Sequence, residues 1–398
     1  MKAIVIGGGI GGLTGAIALH RAGIEAHVYE RSPILREVGA GISLWANAIH
    51  VLDELGLANA IRPHVLSELH AGLRTWRGTV LSSAASSELT KGFAVPIAVM
   101  HRADLLAVLA GQVSTNHLHL NYECTGFVQD AEGVTARFTN GEVVRGDLLI
   151  GADGLHSAIR AQIFGDHPPR YAGYPAWRAI VRTTHPRIVP CESWGPGQRF
   201  GIIPLGDGRV YWYATKNLRE GDRDAPGQAK RNLMQLFRGW HDPVEALIEA
   251  TDESAILRNE IYDRDPLPRW SENRVTLLGD AAHPMTPNLG QGGCQAIEDA
   301  VVLAACLANC DQVESALRRY QDRRIPRTSA IVLQSCRVGV IGQWENWFLC
   351  SVRNAAIRAV PSRIKARQIA SVAVHEALTE AERALLAGPT HTCQAMVR

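Results

Sequence analysis

A glycine-rich turn between the first strand and the first helix constrains this chain more than any other feature. Residues 3–6 have the apolar character of a buried strand, residues 13–21 have a helical pattern, and the sequence GGGIGG joins them. We expect Gly7 to allow the tight bend, Gly9 to let the backbone approach a pyrophosphate, and Gly12 to allow the helix to pack closely on the strand. The turn therefore predicts a Rossmann-like unit that binds a dinucleotide at a helix N-terminus.

An acidic residue stands where such a unit needs one. The next strand is predicted over residues 26–29, and Glu30 and Arg31 follow it. The distance along the chain from Gly12 suits a Glu30 carboxylate that accepts hydrogen bonds from an adenosine ribose and repels a 2′-phosphate. A glycine turn alone also occurs in ordinary βαβ units. Strand, turn, helix, strand and acid in this order favour dinucleotide binding over that alternative.

Two aspartate-glycine pairs lie far along the chain from this turn, each directly after an apolar run. One is Asp153-Gly154 and the other is Gly279-Asp280. With the N-terminal turn they predict a cradle for a long, doubly phosphorylated, polyhydroxylated cofactor, for which we predict FAD. Asp280 suits the ribityl hydroxyls, and its alternative role is a turn cap. Asp153 has a similar alternative, as the cap of a helix that starts near Ser157.

A loop with prolines and glycines follows Asp280 and leads into a helix. It contains Pro284, Pro287 and Gly290, and the helix is predicted to start at Gly292. Such a helix directs its positive end at a ligand. His283 in this loop is a candidate proton handler, with a structural role as the favoured alternative.

Composition narrows the class of protein. The 398 residues carry a net charge of +2 and eight cysteines without CxxC spacing. A nucleic-acid binder would normally show a concentrated basic face, so we predict no nucleic-acid partner. We also predict no metal site. Lys2 leads directly into the first strand, which predicts no signal peptide and, with the cysteine pattern, a reduced cytoplasmic setting.

The order of predicted elements gives an α/β fold in which two domains interleave. The Rossmann-like FAD-binding domain is predicted over residues 1–75, 97–170 and 271–335. A strand-rich substrate domain is predicted over 76–96 and 171–270. A C-terminal helical region is predicted over 336–398.

Several of these segments together resemble one family, the class A FAD-dependent aromatic monooxygenases, or p-hydroxybenzoate hydroxylase-like flavoproteins. The quinolone 3-hydroxylase, zeaxanthin epoxidase, urate hydroxylase and salicylate hydroxylase types are the nearest within it. The likeness covers residues 1 to about 335. It rests on the N-terminal turn, Glu30-Arg31, GAGISL from Gly39 to Leu44, Arg102, Asp153-Gly154 with Ser157 and Arg160, GDAAHP from Gly279 to Pro284, and PNLGQG from Pro287 to Gly292.

This resemblance implies a GR2-type FAD-binding domain with Gly41, Arg102 and Arg160 among the cofactor-binding residues. It also implies that NAD(P)H and O₂ are co-substrates, that oxygen is transferred from a flavin C4a-hydroperoxide, and that no second dinucleotide motif is needed. The helix at Gly292 would face the pyrimidine edge of the flavin. The predicted activity is hydroxylation of an aromatic or heteroaromatic small molecule. Epoxidation of an isoprenoid or polyene, FAD-dependent dehydrogenation without oxygen insertion, and simple NAD binding are the alternatives.

The substrate pocket is the part that the sequence defines least. Arg199 and Tyr211 match positions that face the substrate in some members of the resembled family, and we predict them as catalytic residues. Neighbouring side chains of a strand point to opposite faces, so Arg178 and Trp212 are the next candidates.

The tail combines basic and aromatic residues. We predict a helix that covers the FAD-binding domain or joins a homodimer, and contact with a membrane surface is the alternative. The chain is then either a monomer or a homodimer. The residues concerned are Arg337, Arg353, Arg358, Arg363, Lys365, Arg367, Trp344, Trp347 and Phe348.

Overall fold

A six-stranded sheet forms the centre of the computed structural model, which describes residues 1–35, 41–66, 71–84, 97–186, 188–205 and 208–386. Every strand pair is parallel except the one at the Ser271–Glu272 edge. The two central strands are almost entirely apolar, because helices cover both faces of a parallel sheet. In spatial order the strands are Ser271–Glu272, Val275–Leu277, Leu148–Gly151, Lys2–Ile6, Glu25–Glu30 and Leu118–Leu120.

Helices pack tightly on this sheet where their residues are small. Ile10–Arg21 contacts both Gly292–Ala308 and Arg102–Ala110, and Gly292–Ala308 also contacts Ala46–Glu54. A Cβ atom at Gly11 would lie 2.6 Å from the Cδ2 atom of Leu278, so a larger residue would force the Leu278 side chain to move. The predicted strand-turn-helix-strand order is thus confirmed. Short helices span Ala58–Ile61 and Ala158–Phe164.

Two small antiparallel sheets complete this domain. Cys124–Gln129, Val134–Phe138 and Val143–Gly146 form one of them, with Gly141 at a φ of +86° in the turn between the last two strands. The other sheet has the order Gly41–Leu44, Ile97–His101, Val65–Leu66.

A seven-stranded sheet forms the second domain. The predicted division assigned residues 1–75 to the first domain, whereas Ala71–Thr75 is a strand of this sheet and pairs with Cys191–Gly195. The pairing joins residues about 120 positions apart, which no local pattern reveals. In spatial order the strands are Leu257–Asp263, Arg170–Arg182, Arg209–Lys216, Gln198–Pro204, Cys191–Gly195, Ala71–Thr75 and Val80–Ala84.

The two faces of this sheet have different environments. Phe200, Trp212 and their neighbours on one face form a core with the helices Ala229–Leu236 and Val244–Glu249. Burying each such side chain contributes roughly 1.5–3 kcal/mol. The other face carries Arg199 and Tyr211 and turns towards the first domain, where Tyr211 contacts Gly41.

Helices fill the remainder of the chain that the structure describes. They are Val313–Gly342, Trp347–Ala359, Ser362–Ala373 and Glu380–Leu386. Among the described helices, none is both long and apolar enough to cross a membrane. Gly39, Ala40, Gly206, Asp207, residues 85–96 and residues 387–398 lie outside the described residues.

Candidate active site

The N-terminal turn has the geometry that its glycines predict. Gly7 has a φ of +107°, and a Cβ atom there would lie 2.4 Å from the carbonyl oxygen of Ala152. A Cβ atom at Gly12 would lie 2.0 Å from the carbonyl oxygen of Gly7, so the helix packs directly on the turn. No described atom lies within 4 Å of a Cβ position at Gly9. The backbone at Gly9 is therefore open to a close-fitting ligand.

This turn borders a cavity of about 480 Å³. That volume lies within the usual range for small-molecule and cofactor sites. Segments that are distant in sequence converge on it, as predicted from the glycine turn and the two aspartate-glycine pairs. The predicted residues in its wall are Gly7, Gly9, Glu30, Arg31, Arg102, Asp153, Asp280 and Gly292.

Glu30 is fixed at the end of its strand by backbone donors. Its Oε2 atom accepts from the amide of Gly8 at 2.6 Å, and its Oε1 atom accepts from the amide of Ser32 at 2.9 Å. A carboxylate held between the turn and the cavity wall suits recognition of a sugar hydroxyl. Arg31 beside it is exposed.

Asp153 caps a helix and borders the cavity at the same time. Its Oδ1 atom accepts from the hydroxyl of Ser157 at 2.6 Å, and its Oδ2 atom accepts from the amide of Ala158 at 2.8 Å. Burial raises the pKa of Asp153, although these hydrogen bonds oppose the shift. The capping alternative is therefore present in the structure, and a role in cofactor binding stays a prediction.

Arg160 lies behind the cavity rather than in its wall. Its Nη1 atom donates to the carbonyl oxygens of Ala281 and Ala282, both at 3.0 Å, and its side chain is buried. Burial and, to a smaller extent, nearby Arg264 lower the pKa of Arg160 to about 10. Arg160 thus holds the segment after Asp280 in place, and the contact with cofactor that the resemblance implied stays a prediction.

The loop after Asp280 positions the start of the long helix Gly292–Ala308. Gly292 and Gly293 stand in the cavity wall, so amide groups and the positive end of the helix dipole are directed at the cavity. Pro287 begins a single turn of 3₁₀-helix, and Gly290 ends it at a φ of +63°. Neither of these two residues is in the wall. They shape the loop, and a Cβ atom at Gly290 would lie 3.0 Å from the Nε1 atom of Trp45.

A buried network of charged side chains connects the helices Gly292–Ala308 and Val313–Gly342 behind this loop. The sequence analysis did not predict this network. Arg324 donates to Asp299 at 2.6 Å and to Glu298 at 2.5 Å, and Arg327 donates to Glu298 at 2.9 Å. Burial raises the pKa of Glu298, but the two arginines outweigh it and lower the pKa to about 2. Asp299 also accepts a hydrogen bond from His283 at 2.6 Å. His283 therefore has the structural role that the sequence analysis favoured over proton handling.

Register determines which side chains of the seven-stranded sheet face the first domain. Gly201 pairs with Tyr213, and Ile203 pairs with Tyr211, so these residues share the face of Arg199. Trp212 points the opposite way, stacks on Phe200 and donates from its Nε1 atom to Thr251 at 2.9 Å. Trp212 is therefore wrong as a pocket candidate.

Arg199 joins three parts of the molecule. It is 3% exposed, and its Nε atom donates to the Oε1 atom of Gln343 at 2.9 Å. Its Nη1 atom donates to Asn288 at 2.7 Å and lies 3.3 Å from a carboxylate oxygen of Glu192. The guanidinium carbon also lies 5.1 Å from the ring centre of Tyr174. Arg199 therefore links the sheet to the loop before Gly292 and to the end of the helix Val313–Gly342.

Two tyrosines lie on the same face of the sheet as Arg199. Tyr211 packs against the backbone of Gly41, where a Cβ atom would lie 2.6 Å from the ring. Burial raises the pKa of Tyr211, and Arg178 opposes the shift. Tyr213 covers Gly201, and burial together with Glu192 holds the pKa of Tyr213 well above its ordinary value. Tyr213 was not predicted as a site residue, although it lies two positions after Tyr211 in the same strand and therefore points to the same face.

Comparisons with known proteins agree with this geometry. A family model described as FAD binding domain matches residues 1–335. The aurachin C monooxygenase/isomerase of Stigmatella aurantiaca is 45% identical over 370 residues, which are 92% of this chain and 96% of that protein. The FAD-dependent urate hydroxylase of Klebsiella pneumoniae is 37% identical over 344 residues, which are 84% of this chain and 88% of that protein. The crystal structure of Klebsiella pneumoniae HpxO with FAD and uric acid has a TM-score of 0.86 and 33% identity, and covers 98% of this chain and 97% of that one.

Proposed function

This chain belongs to the FAD binding domain family and is an FAD-dependent monooxygenase, and from that premise we propose that it uses NAD(P)H and O₂ to hydroxylate an aromatic or heteroaromatic small molecule. The observation that carries the proposal concerns the strand Gly41–Leu44, which contacts both domains. Ile42 lines the dinucleotide cavity, and Gly41 next to it packs against the Tyr211 ring on the buried face of the seven-stranded sheet. When bound, FAD would accept reducing equivalents from NAD(P)H and activate O₂, so that one oxygen atom enters the substrate and the other leaves as water.

The residues around the cavity fit FAD in shape and in donor chemistry. The open backbone at Gly9 and the helix start behind it suit a pyrophosphate. Glu30 suits the adenosine ribose, and the exposed Asp280 suits the ribityl hydroxyls. The helix start at Gly292 would stabilise negative charge on the reduced ring through its dipole.

Arg31 and Arg102 carry positive charge in the same wall, where phosphate oxygens would lie. Asp153 shares that wall, and we propose that it contributes to the handling of NAD(P)H. Gly41 would form part of the surface on which the flavin rests, and Pro287 and Gly290 would shape the loop that leads to the helix at Gly292. Arg160 would act indirectly, by holding the carbonyl groups of residues 281 and 282.

On the substrate side, Arg199 and Tyr211 would orient the ring that is oxidised. Because burial raises the pKa of Tyr211, its phenol stays protonated near neutral pH and can donate a hydrogen bond to an oxygen or nitrogen of the ring. The Arg199 guanidinium, already held by Gln343 and Asn288, is a rigid donor. Together these groups would position an electron-rich ring and exclude water.

The test is a panel of phenols, quinolones, purines and polyenes, with urate and aurachin C included because relatives carry those names. NAD(P)H oxidation, oxygen uptake and the mass of the product are measured together. Substrate-dependent oxygen uptake with a product heavier by one oxygen on the ring supports the proposal. An epoxide would identify the polyene alternative, and an oxidised product without added oxygen would identify the dehydrogenase alternative.

The C-terminal region offers an exposed apolar surface. The helix Trp347–Ala359 covers the second domain with its inner face, where Cys350 and Arg353 are buried. Trp347 and Phe348 are 63% and 73% exposed. The inner face of this helix packs on the second domain. We propose that the exposed aromatic residues of its outer face contact either a second copy of the chain in a homodimer or, weakly, a membrane surface.

A further inference from the structure

Four histidines and a glutamate cluster at the outer edge of the six-stranded sheet, away from the monooxygenase site. His27 lies 2.7 Å from Glu25 through its Nε2 atom and 3.1 Å from the Nε2 atom of His119 through its Nδ1 atom. The rings of His27 and His117 are 4.6 Å apart, and those of His20 and His117 are 4.9 Å apart.

Strand register brings these residues together. Glu25, His27 and Tyr29 alternate along the strand Glu25–Glu30 and so share one face. Tyr29 pairs with His119 on the neighbouring edge strand, and His117 lies in the turn just before that strand. The cluster therefore joins two segments about 90 residues apart in sequence.

Three of the residues have the arrangement of a metal site. One ligand atom from each of Glu25, His27 and His117 can be chosen so that all three lie within 4.8 Å of one another. Two imidazoles and a carboxylate are the donors that zinc and similar divalent transition metals prefer. We propose that Glu25, His27 and His117 form a binding site for a divalent transition metal ion of the zinc class, in addition to the FAD site.

A second observation concerns the ring nitrogen of His117. Its Nδ1 atom is buried and has no hydrogen-bond partner among the described residues. Most buried polar atoms in proteins have a partner, and this nitrogen would gain one from an ion that enters the cluster. The alternative is a contact of this nitrogen with a neighbouring imidazole ring, which would leave no ion to detect.

Binding needs only a small adjustment of the cluster. Bonds of about 2.0–2.2 Å in a tetrahedral site bring the ligand atoms to about 3.3–3.6 Å from one another. The Nε2 atom of His27 and the Oε1 atom of Glu25 are 2.7 Å apart and would have to move apart, which the Glu25 side chain, 54% exposed, can do without disturbing the core. His119, which is hydrogen-bonded to His27, would then orient the His27 ring, as outer partners of metal-bound histidines do.

The position gives the ion a structural consequence. His119 stacks on Tyr29 with ring centres 4.6 Å apart, and Tyr29 is in the wall of the cofactor cavity. An ion that ties the turn at His117 to the strand at His27 would fix this edge of the sheet. We expect it to slow thermal unfolding of the first domain and the loss of FAD that follows unfolding.

The test uses the full chain with FAD bound, without a histidine tag and treated with a chelator. Calorimetric titration with Zn²⁺ should give about one tight equivalent that His117→Asn and Glu25→Gln each weaken by at least about tenfold. His50→Asn, which changes an exposed histidine outside the cluster, is the matched control and should bind like the parent.

Circular dichroism and FAD content establish that each variant is folded. Zn²⁺ should also raise the unfolding temperature of the parent and of the control, and not of the two cluster variants. No tight equivalent in the parent, or equal binding by the parent and both cluster variants, would overturn the proposal. These results are independent of the monooxygenase reaction.

Discussion

Loss of Arg324 should destabilise the FAD-binding domain more than any exposed substitution. Its guanidinium is 1% exposed and donates to Asp299 at 2.6 Å and to Glu298 at 2.5 Å. Arg324→Met keeps most of the side-chain volume, but it removes a positive charge that stabilises the two buried carboxylates of Glu298 and Asp299. Removing one partner of a buried ion pair typically costs about 3–5 kcal/mol, and we expect a free energy of unfolding lowered by that amount at pH 7.5.

The pH dependence of this loss has a definite sign. Burial acts to raise the pKa of Glu298, yet Arg324 and Arg327 lower it to about 2 from an ordinary value of 4.5. In the parent, the stabilisation is therefore present above about pH 4.5 and is lost as the pH falls towards 2. Without Arg324, only one arginine opposes burial, so the folded-state pKa of Glu298 rises from that low value. The deficit of the variant is then largest near neutral pH and shrinks as Glu298 takes up a proton at lower pH.

The assay is equilibrium urea unfolding at pH 7.5 and pH 4.5, followed by circular dichroism and by the fluorescence of released flavin. Arg337→Met is the control, because Arg337 is exposed on the same helix. Flavin release should occur early in Arg324→Met, since Asp299 also accepts from the amide of Gly279 beside Asp280. A variant within about 0.5 kcal/mol of the parent at both pH values, or a deficit that does not change with pH, would refute the reasoning.

The remaining predictions concern cofactor, reduction, coupling and surface. Asp280→Ala should weaken FAD binding by roughly 10–100-fold, because one charge-assisted acceptor is worth about 1.5–3 kcal/mol; full FAD occupancy in dilute folded variant would exclude that role. Asp153→Ala should slow flavin reduction by NAD(P)H more than the reaction of reduced enzyme with O₂, and stopped-flow traces with an unchanged reductive half-reaction would leave only the helix cap. Tyr211→Phe should keep FAD but lower the product formed per NAD(P)H and raise hydrogen peroxide, and Arg199→Ala should do the same with an added loss of stability from its buried partners; unchanged coupling and substrate affinity in both would move the pocket to Arg178 and Tyr213. Phe348→Ser should reduce either self-association in sedimentation or binding to anionic vesicles, and no change in both would leave the helix as a cover alone.

The cofactor cradle was predictable because its requirements are local. Because glycine has no side chain, Gly7 allows the bend, Gly9 leaves the backbone open to a ligand, and Gly12 allows the close contact between helix and turn. Glu30 follows at a fixed distance because the helix between them must return the chain to the sheet. Such constraints act over about 25 residues, so the sequence shows them directly.

The supporting contacts were not predictable because they join distant segments. Arg324 lies within a long helix rich in arginine, where a charged residue is normally solvated, and its partners precede it by about 25 positions. Arg199 binds Gln343 across 144 positions. Arg160 could equally have pointed into the cavity, and only the packing of the segment after Asp280 decides its direction.

Strand register explains the mixed result in the substrate domain. Arg199 and Tyr211 share the face that turns towards Gly41, whereas Trp212 lies on the opposite face. A shift of one residue in pairing would exchange these faces, and a short strand with aromatic residues on both sides carries no signal that decides between them.

Oxygen transfer to the substrate is the central claim, and isotope labelling tests it most directly. The FAD-loaded enzyme is supplied with NAD(P)H, with ¹⁸O₂ and with the ring compound that stimulates its oxygen uptake, and the product is analysed by mass spectrometry. We predict one ¹⁸O atom on the aromatic or heteroaromatic ring of each product molecule, with the second atom in water. A product without ¹⁸O, formed while the substrate still stimulates NAD(P)H oxidation, would contradict the account.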